Sequence, residues 1–580
     1  MSELKVDSQR IFDLFTKSEF VIPDYQRPYA WEEEECNALW EDIFSFAIPD
    51  NDPTLFDYEN ASYFLGTTVT FKDGKKIGVI DGQQRLITLS LLLRAFYAAL
   101  GDNSQDPDTQ DIKRDIGQCL WTKKGESSAF NVDNPRIISN VLTDTERDEF
   151  VKILYSGDAP KEFKSRYAQN YRFFQSKIEW FRQNFTNHFI SMPRRILNNC
   201  YLMPISSTQQ DTALRIFTTV NDRGKPLSDS DIFKSQFYKA YANDGEKDWF
   251  INKWSALEAC CNKIFGNVRG LPTDEIFLRY MYYERAKDDK KNKSTTVEGL
   301  RKFYESGSYR LFNKQNYRKT FENILSLLKF WEDVLNQNDE RFSDRVLKRL
   351  FVLYYAPNSM WTYLVSVYFL QRREANDLLN DYEFYSFLTK ITAFFLASHF
   401  VVQSLSSLRK PVFDAMREII KNEALNFGGY KIQKPELITK LDFFQFTNQK
   451  AITKSLLSWW LYQDDRQELF SLTTPLDIEH IFSQNRPIKY DDLREIIGNK
   501  ALLEKKINIR ASDYKFVDKK KYYNGYATPA GKLKDGTKNI ELRDMAAQLN
   551  DFTEANIKQR NDKILKDFEK FISENDLLKN

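Results

Sequence analysis

Histidine is scarce in this chain: its 580 residues hold only His188, His399 and His480. Any acid–base chemistry that relies on imidazole therefore has few places to sit. Cysteine is scarce too, and Cys36, Cys119, Cys200, Cys260 and Cys261 form an odd set with no CxxC pair. That excludes a disulfide framework and a cysteine-ligated zinc site, and it fits a reducing cytoplasm. An excess of either charge is also missing, with 84 Lys plus Arg against 82 Asp plus Glu. Such a chain is no polycation, so a nucleic-acid surface has to be a local patch. No G-x-x-x-x-G-K-S/T loop occurs, which excludes a P-loop route to nucleotide hydrolysis. Met1 to Asp7 lack a basic segment leading into an apolar run, so no secretory signal is expected. The uncharged stretch Phe351–Leu370 has a spanning length but is interrupted by Pro357-Asn358-Ser359, and it predicts two buried helices around a turn rather than a membrane partner.

A hydrophobic share of 42% and an aromatic share of 15% are ample for buried cores. The length exceeds what one core supports, so an α+β multidomain fold is expected. Changes in pattern divide the chain into a mixed domain at 1–240, a helical domain or connector at 241–435 and a C-terminal domain at 436–580.

In the first part, the β-branched and aromatic run Tyr63–Phe71, the turn signal Asp73-Gly74 and the run Ile77–Ile80 predict a β-hairpin. It delivers Asp81-Gly82-Gln83-Gln84-Arg85 to a point where Leu86, Leu89, Leu92 and Leu93 recur at helical spacing. A carboxylate, two amides, a guanidinium and a glycine at a helix start suit a phosphate-like group. An Asp81–Arg85 ion pair that merely braces the hairpin is the competing reading. Upstream, Ile22-Pro23-Asp24-Tyr25-Gln26-Arg27-Pro28-Tyr29-Ala30-Trp31 is held extended by its prolines. A helix follows, with Leu39, Trp40, Ile43, Phe44 and Ala47 on one face. Tyr25, Tyr29 and Trp31 fit a core as well as a pocket. From about residue 165 the pattern is mostly helical, interrupted at Asn221-Asp222-Arg223-Gly224-Lys225-Pro226-Leu227-Ser228, where Ser228 is placed to cap the helix that carries Asp231 and Lys234.

Near the C-terminus come Leu476-Asp477-Ile478-Glu479-His480-Ile481-Phe482-Ser483-Gln484, then Gly498-Asn499-Lys500, then Ile507-Asn508-Ile509-Arg510. Hydrolysing a phosphodiester needs a water made nucleophilic and a cation to neutralise developing charge. A histidine beside a carboxylate-held Mg²⁺ or Mn²⁺ supplies both. Asp477 and Glu479 alternate with Ile478, so in an extended segment they share a face, and His480 is expected to join them from a following turn. Asn508 adds an amide oxygen. The basic run that follows, with Lys505, Lys506, Arg510, Lys519 and Lys520 interleaved with Tyr514, Phe516, Tyr522 and Tyr523, reads as a DNA-backbone footprint. A buried structural histidine and a solvated basic face are the plainer alternatives.

Asp-Ile-Glu-His-Ile, Gly-Asn-Lys and Asn-Ile-Arg, in that order, resemble the HNH, or ββα-metal, nuclease motif in the variety where asparagine replaces the final histidine. By that resemblance His480 is the general base, Glu479 and Asn508 are metal ligands, Asp477 is a further candidate and Asn499 orients the site. Ser483 stands where many relatives have proline, a departure that touches the turn. The motifs at 22–31, 64–67, 81–85 and 221–228 together resemble the ParB/sulfiredoxin-like domain of GmrSD-type modification-dependent restriction enzymes and SspE-type phosphorothioate sensors, which also end in an HNH-like domain. The resemblance implies a cytoplasmic anti-phage endonuclease acting on modified or phosphorothioated DNA and controlled by a nucleoside triphosphate. Asp81, Gly82, Gln83, Gln84 and Arg85 would hold the nucleotide, with Asn221, Arg223, Asp231 and Lys234 as additions. Tyr25, Gln26 and Arg27 would line the same pocket or an adjoining modification pocket. A regulatory sensor with an inactive nuclease motif and an RNA-cutting HNH toxin remain as alternatives. The modification sensed, the preferred nucleotide base, nicking against double-strand cutting and a homo-oligomeric state are left open.

Overall fold

The computed structural model describes residues 5–579 apart from 102–105, 124, 126–128, 142–143, 145, 210–211, 214–227, 267–269, 289–298, 306–310, 313–314, 403 and 489–490. The fold is mixed α+β, rich in helices, and it separates into two compact units, Met1–Ser255 and Ala256–Asn580.

The first unit is built on one seven-stranded sheet of β1 (Lys5–Val6), β2 (Gln9–Arg10), β3 (Phe20–Ile22), β4 (Tyr63–Asp73), β5 (Lys76–Asp81), β6 (Ile137–Ser139) and β7 (Cys200–Ser207). The order is β1-β7-β4-β5-β3-β6, with β2 also on β7. The expected hairpin is there: β4 and β5 pair antiparallel, and Gly74 takes the left-handed conformation in their turn. Strand β7, which runs parallel to β4, lies inside a stretch that reads as helical in the sequence. Its pairing partner is about 135 residues away, so no local pattern announces it. Helix α1 (Glu33–Ala47) buries Leu39, Trp40, Ile43, Phe44 and Ala47 as its spacing predicts. Helix α2 (Gln83–Ala99) is buried on nearly every side and packs on α3 (Arg166–Asn184). Helix α4 (Asp229–Asn243) opens with the predicted Ser228 cap: Asp231 N–H donates to Ser228 Oγ at 3.0 Å, and Ser228 N–H donates to Asp231 at 3.1 Å. Asp231 is thereby used as a capping group.

In the second unit the stretch around Pro357 forms two helices, Asp344–Tyr354 and Met360–Arg372, separated by a turn. Among the described residues one helix, Asp381–Val401, is long and apolar enough to cross a membrane, and 67% of its apolar window is buried within the fold. Toward the C-terminus follow α5 (Ala451–Leu461), β8 (Leu476–His480), β9 (Lys500–Glu504), α6 (Lys505–Ala511), α7 (Phe516–Asn524), α8 (Ile540–Gln548) and α9 (Glu554–Glu574). Strands β8 and β9 pair antiparallel, with Asp477 opposite Leu503, Glu479 opposite Ala501 and His480 opposite Lys500. A core of Ile481, Leu503, Ile507, Phe516, Tyr523, Leu542 and Ile557 holds this group together.

Candidate active site

Neighbouring residues of a strand point to opposite faces. Strand β8 runs through His480, so His480 and its partner Lys500 share one face while Asp477 and Glu479 lie on the other. The expectation that His480 turns back toward the two carboxylates is therefore not met. One more residue of strand sends the imidazole away from them.

On its own face His480 is held tightly. Its Nε2 lies 3.1 Å from Glu495 Oε1 and 3.1 Å from Gln484 Nε2, and it also contacts Lys500 Nζ. Lys500 is fully buried and donates to Glu495 Oε2 at 2.9 Å and Asn448 Oδ1 at 3.0 Å. Nδ1 has no protein partner among the described residues. Burial first, and the Lys500 ammonium second, hold His480 below the usual imidazole range, so the ring is neutral near pH 7. Burial alone would raise Glu495, yet hydrogen bonds and charge from Lys500 and His480 keep its carboxyl below the ordinary range.

On the opposite face Glu479, 4% exposed, accepts from Tyr523 OH at 2.7 Å and pairs with Lys519 Nζ at 2.8 Å. Burial raises its carboxyl, against the pull of Lys519. Asp477 meets Asn508 through the amide N–H at 3.4 Å. Among the described residues no three His, Cys, Asp or Glu side chains converge as a metal site. Asp477, Glu479 and Asn508 as placed do not form a shared Mg²⁺ or Mn²⁺ site, because Glu479 already has an internal ammonium as its counter-ion. Lys519 departs from expectation for the same reason: it is fully buried and also donates to His480 O at 2.7 Å, so it is not on a DNA-facing surface. Lys505 and Lys506 are exposed, Arg510 is half-buried and donates to Asp535 O, and Lys520 donates to Leu549 O.

The turn that positions Lys500 is fixed from both sides. Asn499, fully buried, accepts from Phe482 N–H at 2.7 Å and donates to Arg494 O at 3.2 Å, tying the turn to the loop after His480. Ser483 donates to Asp513 Oδ1 at 2.8 Å, and Asp513 also accepts from the N–H groups of Gln484 and Asn485. Arg560 of α9 donates to Ile497 O, Gly498 O and Lys500 O at 3.1, 3.0 and 2.7 Å while pairing with Glu541 at 2.8 Å. Gly498 permits that approach, since a Cβ there would lie 2.2 Å from Ile557 O.

In the first unit, Asp81, Gly82 and Arg85 meet where β5 enters α2. Gly82 caps the helix at φ 90°, with no room for a Cβ beside Thr68. Arg85 lies against Gly66 and donates to Thr67 O at 3.0 Å. Burial raises Asp81, against the opposing pull of the Gly82 N–H, Arg85 and Arg27, and it lowers Arg85. The glutamines act differently from expectation. Gln84 accepts from Ala30 N–H at 2.7 Å and Trp31 N–H at 3.2 Å and donates to Pro28 O; Gln83 donates to Arg27 O, and Gln26 to Ile80 O. The three amides staple the 22–31 loop to the junction. Two buried oxygens here, Thr68 Oγ1 and Gln83 Oε1, have no partner among the described residues, which is the kind of orphan a bound polar ligand satisfies. Tyr25 is buried against Tyr238, and Tyr29 stacks on Tyr167 in the core. Lys234 is buried on α4. Asn221 and Arg223 lie outside the described residues. Gln84→Ala should destabilise the first unit by about 2 kcal/mol, because it strands two N–H groups and a carbonyl. The midpoint of thermal unfolding of the full chain reads this, and an unchanged midpoint would mean that the amide is free for a ligand.

Residues 11–238 match the N-terminal domain, and residues 431–567 the C-terminal domain, of the GmrSD restriction endonucleases. The first span contains the Asp81–Arg85 junction and the second the whole His480 cluster. A chain with both domains is, by class, a restriction endonuclease whose substrate is DNA. The two spans take in more than half of the chain, which belongs to the GmrSD family. No curated protein matches it.

Proposed function

We propose that the C-terminal domain is an HNH-like nuclease centre with His480 as general base, and that the N-terminal domain binds a nucleoside triphosphate and senses modified DNA. The observation that carries the nuclease reading is the Glu495–His480–Lys500 cluster, two half-buried groups on a buried lysine, at the end of two antiparallel strands followed directly by α6. A ββα succession of this kind supports the HNH reading. Glu495, Gln484 and Lys500 orient the neutral ring through Nε2. The imidazole then takes the proton from a water attacking the phosphodiester. Exposed Lys505 and Lys506 stand ready for the strand's phosphates.

For the N-terminal domain, Arg85 and Arg27 at the start of α2 would hold the phosphates, with Thr68 and Gln83 offering their unpartnered oxygens. A triphosphate bound there supplies hydrolysable free energy for switching the domain. Residues 241–435 serve as a helical connector, and the whole is a cytoplasmic anti-phage enzyme. The test is digestion of phage DNAs carrying different base or backbone modifications, with and without each triphosphate. Cutting confined to modified DNA and altered by a triphosphate is expected. Equal cutting of every DNA regardless of nucleotide would overturn the sensing and control, and no cutting of any would favour the inactive-sensor reading.

A further inference from the structure

Three tyrosines line up beside this cluster, Tyr514 exposed and Tyr522 and Tyr526 half-buried. Tyr514 and Tyr522 are near-parallel, with ring centres 6.1 Å apart, and Tyr522 meets Tyr526 edge-on at 5.3 Å. Gly525, at φ 82°, reverses the chain after α7 and brings Tyr526 back to Tyr522, and a Cβ there would press on Lys534 O. Cations flank the rings: Lys521 Nζ lies 5.0 Å from the centre of Tyr522, and the Arg510 guanidinium 5.9 Å from that of Tyr526. Tyr514 is 50% exposed, and Ile509, Val517 and Leu533 nearby are exposed as well. Between Lys505 and Lys538, leaving out the buried Lys519, nine basic residues accompany three acidic ones. A half-exposed aromatic ladder among positive charges suits a partner that is flat, apolar on its faces and anionic along its edge. An unstacked strand of nucleic acid has those properties, whereas a closed duplex hides its base faces. The ladder also adjoins the catalytic cluster, since Asp513, the residue before Tyr514, anchors the loop that follows His480.

We propose that Tyr514, Tyr522 and Tyr526 form a stacking platform for unpaired bases of the DNA strand next to the cut, with Arg510 and Lys521 on the adjoining phosphates. The proposal rests on DNA as the substrate and is independent of which group is the general base. It makes local unpairing of the duplex part of substrate engagement.

The test measures binding of the full-length protein to a fluorescent single-stranded DNA and to the fully paired duplex of the same sequence. Tyr514→Ala and Tyr526→Ala are each expected to weaken single-strand binding about tenfold. Duplex affinity should stay within about twofold, and the salt dependence should not change because no phosphate contact is removed. Tyr514→Phe, which keeps the ring, should bind like the wild type. Equal losses on single strand and duplex, no loss on either, or a loss in Tyr514→Phe as large as in Tyr514→Ala would each overturn the proposal. An unchanged thermal midpoint for the exposed Tyr514 variants keeps folding out of the comparison.

Discussion

His480→Ala is expected to lower the rate of DNA cleavage by about a thousandfold, within the range that removal of a positioned general base costs. The protein should stay folded, because Lys500 and Glu495 still neutralise one another at 2.9 Å once the imidazole is gone. Binding of DNA should be nearly unchanged, since the ring is mostly buried and is held by Glu495, Gln484 and Lys500. The pH dependence carries a sign. A base works only when deprotonated, and burial together with Lys500 holds His480 below its ordinary value of 6.5. Wild-type cleavage under single-turnover conditions should therefore persist as pH falls through 6.5 and decline only in more acidic solution. A decline centred above 6.5 would mean that another group is titrating.

The second large effect is on stability. Arg560→Met removes the guanidinium that holds three carbonyls of the 497–500 turn and leaves Glu541 without its cation, though Trp460 Nε1 still donates to that carboxylate at 2.9 Å. Breaking one side of a mostly buried ion pair costs about 3 kcal/mol or more. The loss should appear as a lower denaturant midpoint for the second unit, together with slower cleavage, because Lys500 sits in the loosened turn. Adding Glu541→Leu to Arg560→Met should recover part of the stability, since the stranded charge is gone. It should not recover the cleavage rate, because the turn stays loose. A double variant no more stable than the single one would show that the carbonyl bonds, and not the ion pair, carry the effect.

Features that depend on neighbours in the chain were legible in the sequence. The Asp73-Gly74 hairpin, the buried face of α1, the Ser228 cap and the two helices around Pro357 each follow from spacing and turn chemistry over about a dozen residues. The strand-to-helix junction at Asp81–Arg85 was legible as a place, but not in its details. Glutamines that look like ligands on paper instead satisfy the backbone of the 22–31 loop, a use that depends on how the loop folds back. The direction of His480 was lost to a single residue of register, for a strand ending at Glu479 and one ending at His480 aim the ring oppositely. Glu495 carried no signal of its own, being an acid in a charged stretch, and Lys500, though inside the Gly-Asn-Lys segment, was given no role there. Arg560 stands about 60 residues beyond the carbonyls it holds, and only the packing of α9 brings it there.

The role proposed for the imidazole at position 480 is to accept the proton of the attacking water. Its most direct test is chemical rescue: cleavage of a susceptible DNA by folded His480→Gly protein, with and without added imidazole. The variant should be nearly inactive, with a rate that rises with imidazole concentration, most strongly where free imidazole is unprotonated. Cleavage by the variant at the wild-type rate with no imidazole present would contradict it.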